Sequence, residues 1–169
     1  DHSLLPVNED GRIKLDELDK LIRDDTVLVS IMYANNELGT VMPLRKAAKI
    51  ISDIRDDRRK RNVDTPLYFH TDACQAGLYL DIHCARLGVD MMTLNGGKMY
   101  GPKQSGVLYV KTGTQLGPLI RGGGQEWGKR SGTENVAGIV GFACALRSAI
   151  ENQKDHNLRL KKLQDAFIR

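Results

Sequence analysis

Side chains able to do chemistry follow three apolar runs of this sequence, each at the point where the run ends. Asn36 lies in an amide-rich stretch after the first run, Asp72 and Gln75 follow the second, and Lys98 follows the third. In open α/β sheets, ligands bind beyond the carboxyl ends of the strands, so we expect these side chains at one edge of a sheet. An acid paired with a lysine there fits pyridoxal 5'-phosphate (PLP). The lysine forms a Schiff base, and the acid keeps the pyridine nitrogen protonated.

Taken singly, each of these residues has a more ordinary explanation. Asp72 at a strand end is more often a turn or cap residue, Lys98 alone would be a solvated surface lysine, and Asn36 is a common turn former. Thr133 lies near the start of a predicted helix, where it serves a cap or, with backbone N–H groups, binds an anion such as phosphate. The ordered set of these residues, rather than any one of them, favours the cofactor interpretation.

The elements that must position these residues alternate between strands and helices. Apolar, β-branched runs predict strands over 27–33, 67–71, 90–94 and 105–111. Apolar residues at helical spacing predict helices over 15–22, from Pro43 to about 54, over 83–87, and from about 131 to 150, with a further amphipathic segment over 160–167. Such alternation predicts an α/β fold with a mainly parallel sheet flanked by helices.

The predicted helix near residue 131 has a specific start signal. Ser131 and Glu134 stand three residues apart before an apolar run, which is the spacing of a capping box. We therefore expect the Ser131 side chain to cap this helix and Thr133 to lie at its first turn.

Composition excludes several classes of protein. Of the 169 residues, 41% are hydrophobic and 27% charged, which is typical of a globular domain, and no apolar run reaches the length of a membrane span. The formal charge of +4 is mild, and the charged run 55–61 mixes both signs, so we expect neither a nucleic-acid partner nor a membrane partner. Three scattered cysteines indicate a reducing, cytoplasmic location, and we expect no metal site.

Four segments make the sequence resemble the cysteine desulfurases, PLP enzymes of the class V aminotransferase family. They are 34–39 (ANNELG), 70–75 (HTDACQ), 96–110 (GGKMYGPKQSGVLYV) and 122–135 (GGGQEWGKRSGTEN). The resemblance implies the large-domain portion of the type I PLP-dependent transferase fold. It assigns 1–150 to part of the PLP-binding large domain and 151–169 to a helix leading toward a small domain outside this sequence. We therefore expect a segment of a longer protein, inactive when isolated.

The resemblance also implies a role for each matching residue. Lys98 matches the lysine that binds the cofactor covalently and later moves protons at the substrate carbon. Asp72 matches the partner of the pyridine nitrogen, and Gln75 the donor to the phenolic oxygen of the cofactor. Asn36 matches a residue that contacts the cofactor and helps to place the substrate carboxylate. Thr133 matches a threonine that reaches the phosphate of the neighbouring subunit's cofactor, which implies a homodimer.

One position departs from the family pattern. Family members usually carry Ser-x-His-Lys, in which the serine and histidine bind the cofactor phosphate, whereas this sequence has Asn95, Gly96, Gly97 and Lys98. Asn95 can still donate through its amide, but Gly97 offers only backbone. A charge-assisted hydrogen bond contributes roughly 1.5–3 kcal/mol, so the change could weaken cofactor binding unless the glycine backbone recovers a contact.

The activity implied is removal of sulfur from L-cysteine, giving L-alanine and an enzyme persulfide that a sulfur-acceptor protein uses for iron–sulfur assembly or thio-modification. None of Cys74, Cys84 and Cys144 matches the persulfide cysteine of the family, so that residue is expected outside this sequence. Alternatives remain open: a selenocysteine lyase or other class V lyase or aminotransferase, and a non-catalytic dimerisation or interaction module. A nucleotide-binding domain is disfavoured because no phosphate-binding glycine motif is present.

Overall fold

A computed structural model describes residues 1–168, and its centre is a sheet of four strands. The strands are β1 (Leu28–Met32), β2 (Tyr68–Asp72), β3 (Met91–Asn95) and β4 (Gly106–Val110), in the spatial order β1-β2-β3-β4. Strands β1, β2 and β3 run parallel, and β4 is antiparallel to β3. The predicted mainly parallel α/β fold is confirmed. Strand β4 reverses direction because no crossover helix separates it from β3.

The helices are α1 (Leu15–Leu21), α2 (Leu44–Lys60), α3 (Cys84–Leu87), α4 (Gln125–Gly128) and α5 (Val136–Ile168). Each predicted helix forms, but α2 extends beyond its expected end, the short α4 was not predicted, and the C-terminal helix differs in its start and length. A 3-10 turn, Gly96–Met99, follows β3 directly. No helix within residues 1–168 has the length and apolar character needed to cross a membrane.

The hydrophobic core lies on one face of the sheet. Side chains of a strand alternate between its two faces, and the buried Phe69 and Thr71 of β2 point to the face opposite His70 and Asp72. Helix α2 contributes buried residues to the same core cluster, among them the fully buried Ile51. The face with His70 and Asp72 is half-buried, so it holds the polar groups that the core excludes.

Two polar contacts hold α2 against the starts of the strands. The buried carboxylate of Asp90 accepts hydrogen bonds from the Arg55 guanidinium and, at 2.8 Å, from the backbone N–H of Phe69. Arg58, also buried, donates to the carbonyl oxygens of Thr65 and Thr26, each at 3.0 Å. These contacts lie at the amino ends of the strands, so they stabilise the sheet without entering its carboxyl edge.

The C-terminal helix differs from the prediction in its start and its length. The predicted Ser131 capping box is wrong: Ser131 Oγ accepts from the N–H of Gly124 at 3.3 Å, closing the preceding loop. Asn135 caps instead, since its Oδ1 accepts from the N–H of Gly138 at 3.0 Å. The two predicted helical segments form one helix of 33 residues, which crosses residue 150 without a break. The proposed division of the chain at residue 150 therefore falls inside α5.

Helix α5 packs closely on the turn that follows β3. A Cβ atom added to Gly141 of α5 would lie 2.5 Å from Pro102 Cγ, and one added to Gly101 would lie 2.8 Å from Ala145 Cβ. Glycine is needed at both positions because any side chain would push the helix and the turn apart. The close approach places the segment containing Lys98 against a long, rigid helix.

Candidate functional site

The carboxyl edge of the sheet is where the predicted site residues meet. Asp72 ends β2, where the strand registers pair it with Met32 on one side and with Thr93 on the other. Strand β3 ends at Asn95, two residues beyond Thr93, and the turn containing Lys98 begins at the next residue, Gly96. Parallel pairing therefore puts the end of β2 beside the start of the Lys98 turn.

The Asp72 carboxylate is half-buried and oriented by the backbone. Its Oδ1 accepts from the N–H of Cys74 at 2.9 Å. Burial, the largest cause, and the Asp72 carboxylate together raise the pKa of the Cys74 thiol to about 11, while Thr93 and the positive charge of Lys98 act in the opposite direction. The charges of Asp72 and Lys98 both influence the pKa of the Cys74 thiol, so the fold places both residues near this thiol.

Lys98 sits on a turn that is anchored on both sides. The Asn95 side chain caps the turn, its Oδ1 accepting from the N–H of Gly97 at 2.9 Å. Met99 is 2% exposed and packs into the core, whereas Lys98 and Gly97 are exposed. Tyr100 ends the turn in the left-handed region at φ 59°, a conformation uncommon outside glycine. The lysine amine is accessible while its backbone is held in place.

Asn36 and Gln75 occupy the loops that follow β1 and β2. The neighbouring Asn35 forms the turn: its Oδ1 accepts from the N–H groups of Glu37 and Leu38 at 2.9 and 2.8 Å. Asn36 is exposed, and its side chain makes no hydrogen bond within residues 1–168. Gln75 is half-buried in the turn after Asp72. Asn35, rather than Asn36, has the turn-forming role. The sequence does not distinguish the two because they are adjacent residues of the same type.

Thr133 lies in the exposed stretch that leads into α5. It precedes the helix rather than starting it, because α5 begins at Val136. The loop before it is closed by its own contacts, including the Gly132 N–H donating to Gln125 Oε1 at 3.0 Å. Its tip has left-handed backbone at Glu126 and Trp127, and the Trp127 side chain is 92% exposed. A strained loop with an exposed aromatic tip adjoins Thr133.

One polar pair at this edge was not singled out from the sequence. Ser30 Oγ and His70 Nδ1 lie 2.8 Å apart across β1 and β2, where the register places the two residues side by side. Burial lowers the pKa of His70, and the charge of Asp72 opposes that shift. The signal available in the sequence was the position of His70 two residues before Asp72, which puts both side chains on one face of β2.

Neither a metal cluster nor the cleft beside α5 includes the acid and the lysine of this edge within residues 1–168. Residues 1–168 contain no cluster of histidine, cysteine and acidic side chains arranged to hold a metal ion. A cleft of about 640 Å³ lies on the α5 side of the Lys98 turn, lined by Met99, Cys144, Ala149 and His156 among others. It contains neither Asp72 nor Lys98. The carboxyl edge of the sheet thus combines the acid, the amine and free amides that a PLP site needs.

In open α/β folds, the crevice beyond the carboxyl ends of the parallel strands is where ligands bind, and these residues follow those strand ends. Over residues 3–167 the chain matches the aminotransferase class-V family, and it belongs to that family. The expected family and fold are confirmed, and the family is PLP-dependent.

The most similar relatives include cysteine desulfurases. The chain is 44% identical over 165 residues to cysteine desulfurase IscS of Dictyoglomus turgidum, covering 98% of this chain and 39% of that protein. It is 38% identical over 161 residues to cysteine desulfurase NifS of Azotobacter vinelandii, covering 95% and 37%. Among solved structures, a NifS-like protein superposes with a TM-score of 0.88 at 38% identity, covering 98% of this chain and 43% of that one. The chain spans about two-fifths of the length of these relatives.

Proposed function

We propose that the chain forms the PLP-binding part of a cysteine desulfurase-like enzyme, which takes sulfur from L-cysteine and leaves L-alanine and an enzyme persulfide. The observation that carries the proposal is the placement of Asp72 at the end of β2 beside the turn of Lys98, with both charges acting on Cys74. Similarity to cysteine desulfurases supports the choice of substrate. A scaffold protein would have no need to retain this acid and this lysine together.

The acid and the lysine have complementary roles in this proposal. PLP, when bound, supplies an electron sink for the substrate carbon. Lys98 Nζ would hold the cofactor covalently, and its amine would move a proton at the substrate carbon. Asp72 accepts a hydrogen bond from the pyridine nitrogen and keeps that nitrogen protonated. Its Oδ1 is already oriented by the Cys74 N–H, so little reorganisation is needed on binding.

The remaining polar side chains at the carboxyl edge bind the cofactor and orient the substrate in this proposal. Gln75 donates to the phenolic oxygen, and the exposed Asn36 amide contacts the cofactor and the substrate carboxylate. The Asn95 side chain would hold the phosphate in place of the family's serine, whereas the Gly97 N–H is engaged by Asn95 Oδ1 and replaces no contact of the family's histidine. Because Asn95 Oδ1 is engaged by the Gly97 N–H, its Nδ2 is the group available to donate.

Thr133 completes the site of a second subunit in this proposal. It is exposed in the stretch that leads into α5, where a neighbouring subunit has access to it. The enzyme is accordingly a homodimer, and each cofactor phosphate receives one hydroxyl from the partner.

The persulfide cysteine lies outside this chain. The Cys74 thiol is protonated at neutral pH, since burial raises its pKa to about 11, and Cys84 is shifted in the same direction by burial. The thiolate is the nucleophilic form, so neither residue is suited to attack a sulfur atom. A sulfur-acceptor protein and a cytoplasmic location belong to the same proposal.

The test is covalent labelling of the full-length protein that contains these residues. After PLP is added, the protein is reduced with borohydride and the labelled residue is mapped by mass spectrometry. We expect the label on Lys98, and L-alanine released from L-cysteine but not in the Lys98→Ala variant. Faster release from L-selenocysteine would assign the selenocysteine lyase alternative. A folded protein that carries no label on Lys98 would support the non-catalytic module.

Subunit mixing tests the role of Thr133. Lys98→Ala and Thr133→Val proteins are each prepared, then unfolded and refolded together. One site of the mixed dimer would have Lys98 from one chain and Thr133 from the other, so activity should reappear in that site. If Thr133 served its own subunit, no site of the mixed dimer would be intact and no activity would be regained.

A further inference from the structure

We propose that Thr71 is a positioning residue, whose buried hydroxyl fixes the end of β2 against β1 and so sets where Asp72 meets the cofactor. The inference rests on the proposed function, because it concerns the carboxylate assigned to the pyridine nitrogen. Thr71 touches neither cofactor nor substrate, since its side chain points to the core face of β2, opposite Asp72. Its effect on the chemistry passes through the backbone.

Thr71 places a polar group in the hydrophobic core. It is 0% exposed, and its Oγ1 donates to the carbonyl oxygen of Ile31 at 2.8 Å. A hydroxyl in a core costs free energy unless it is hydrogen-bonded, and once bonded it adds little net stability. Valine has nearly the same shape and would fill the space without a group that needs a partner. What the hydroxyl adds is a fixed distance between one atom of β2 and one atom of β1.

The contact between Thr71 and Ile31 lies one residue before the end of each strand. The register pairs Asp72 with Met32 as the last residues of β2 and β1. Just beyond this pair, the N–H of Tyr33 donates to the carbonyl oxygen of Asp72 at 2.8 Å. Strand ends open more readily than strand centres, so a further bond inside the water-excluded core acts where the pairing is weakest.

Both strands lead directly into residues of the proposed site. Strand β2 ends at Asp72, whose Oδ1 accepts from the N–H of Cys74 at 2.9 Å, and β1 leads to the loop that carries Asn36. On the β3 side, the N–H of Ala73 donates to the carbonyl oxygen of Thr93 at 3.0 Å, so a backbone bond holds that side of the turn. The buried hydroxyl adds a side-chain bond on the β1 side. It therefore fixes the spacing between the carboxylate for the pyridine nitrogen and the amide for the substrate carboxylate.

The first measurement is amide hydrogen exchange in the full-length protein without cofactor. Thr71→Val removes the hydroxyl and keeps the volume, whereas Thr71→Ser keeps the hydroxyl. We expect the Tyr33 N–H to exchange about tenfold faster in Thr71→Val and at the unaltered rate in Thr71→Ser. The Tyr68 N–H, which donates to the Val27 carbonyl oxygen at 2.7 Å at the other end of the strand pair, is the internal control and should not change. Equal Tyr33 exchange in all three proteins would overturn the inference.

The second measurement is turnover of the PLP-loaded protein. We expect kcat for L-alanine release to fall about tenfold in Thr71→Val, with the Lys98 label and the melting temperature little changed, and to recover in Thr71→Ser. A loss of that size is below the roughly 100-fold that a misplacement of about 1 Å can cause. Thr26→Val is the matched control, because it removes a threonine hydroxyl that accepts from the Arg23 N–H at 2.9 Å before β1 begins. Its kcat should equal that of the unaltered protein.

The outcomes separate a positioning role from a stabilising one. Faster Tyr33 exchange with an unchanged kcat would make the Thr71 contact a purely stabilising one and refute the positioning role. An equal loss of kcat in Thr71→Val and Thr26→Val would refute it too, because the loss would not depend on the end of β2. An unaltered protein that carries no PLP on Lys98 would refute the proposed function itself, so that failure is distinguishable from the failure of the role of Thr71.

Discussion

Gly97 donates its backbone N–H to the side-chain Oδ1 of Asn95 at 2.9 Å, so the last residue of β3 caps the turn that carries Lys98. The two residues that depart from the family's serine and histidine are thus in contact with each other. A Cβ atom on Gly97 would lie 3.3 Å from the same oxygen, which is a tight but not forbidden approach. The departure is a coupled pair of changes rather than two separate losses.

The capping role of Asn95 can be separated from its phosphate role. Asn95→Ala removes the acceptor and should lower the free energy of unfolding by about 1 kcal/mol, as is typical for loss of a cap. Asn95→Asp keeps the acceptor, so stability should be retained, but its negative charge should weaken PLP binding. Urea denaturation and PLP titration of the full-length protein would measure both. Equal PLP affinity in Asn95→Asp and the unaltered protein would place the phosphate elsewhere.

Restoring the family histidine should tighten cofactor binding. Gly97→His adds a donor for the phosphate, and one charge-assisted hydrogen bond is worth roughly tenfold or more in affinity. Gly97→Ala is the matched control, because it has the same contact between Cβ and Asn95 Oδ1 without the donor. Equilibrium titration with PLP gives both dissociation constants. If Gly97→His binds PLP no more tightly than Gly97→Ala, the added imidazole makes no contact with the phosphate.

Neutralising Asp72 should impair turnover and spare the fold. Asp72→Asn keeps an oxygen to accept from the Cys74 N–H but cannot hold the pyridine nitrogen protonated. Release of L-alanine should fall by at least roughly tenfold, while PLP still labels Lys98. Labelling by mass spectrometry and the melting temperature serve as controls. Full activity in Asp72→Asn would remove this carboxylate from the mechanism.

The Cys74 thiol should resist alkylation until the pH is high. Burial raises its pKa from 9.0 to about 11, so its thiolate is scarce at neutral pH, and iodoacetamide should react far more slowly than with glutathione. The raised pKa also means that folding favours the protonated thiol. The contribution of this thiol to the free energy of unfolding is complete below about pH 9 and is lost as the pH rises toward about 11.

Two pH series measure these effects. The rate of Cys74 alkylation, followed by peptide mass spectrometry, should rise steeply above pH 9. The unfolding free energy should fall over the same interval less in Cys74→Ala than in the unaltered protein. Rapid alkylation of Cys74 at pH 7 in the folded protein would contradict the buried, protonated state.

The contact between α5 and the Lys98 turn should be intolerant of added volume. Gly101→Ala brings a methyl group to 2.8 Å from Ala145 Cβ, and overpacking of this kind typically costs about 1–3 kcal/mol. Gly117→Ala is the matched control, since a Cβ there meets no atom within 4 Å. Chemical denaturation of both variants gives the difference. Equal stability would show that α5 and the turn can separate without cost.

Local patterns in the sequence predicted most of the elements and the order of the site residues. Apolar runs such as 27–33 and 67–71 form strands within one residue of their expected ends. The start of α5 was mispredicted because the sequence contains two residue pairs with the three-residue spacing of a helix cap. They are Ser131 with Glu134 and Asn135 with Gly138, and Asn135 is the residue that caps the helix. Its length was underestimated because the polar stretch after residue 150 lacks apolar periodicity, although it contains no glycine or proline to end a helix.

The sequence alone determined the α/β class and the positions of Asp72 and Lys98 after their strands, because apolar periodicity and strand ends are local properties of the chain. Only the tertiary structure decided the pairing of Ser30 with His70, which are 40 residues apart, and the raised pKa of Cys74. Both depend on strand register and burial. Register is set by how strands pack together, and burial by the whole fold, so neither can be inferred from a short window of sequence.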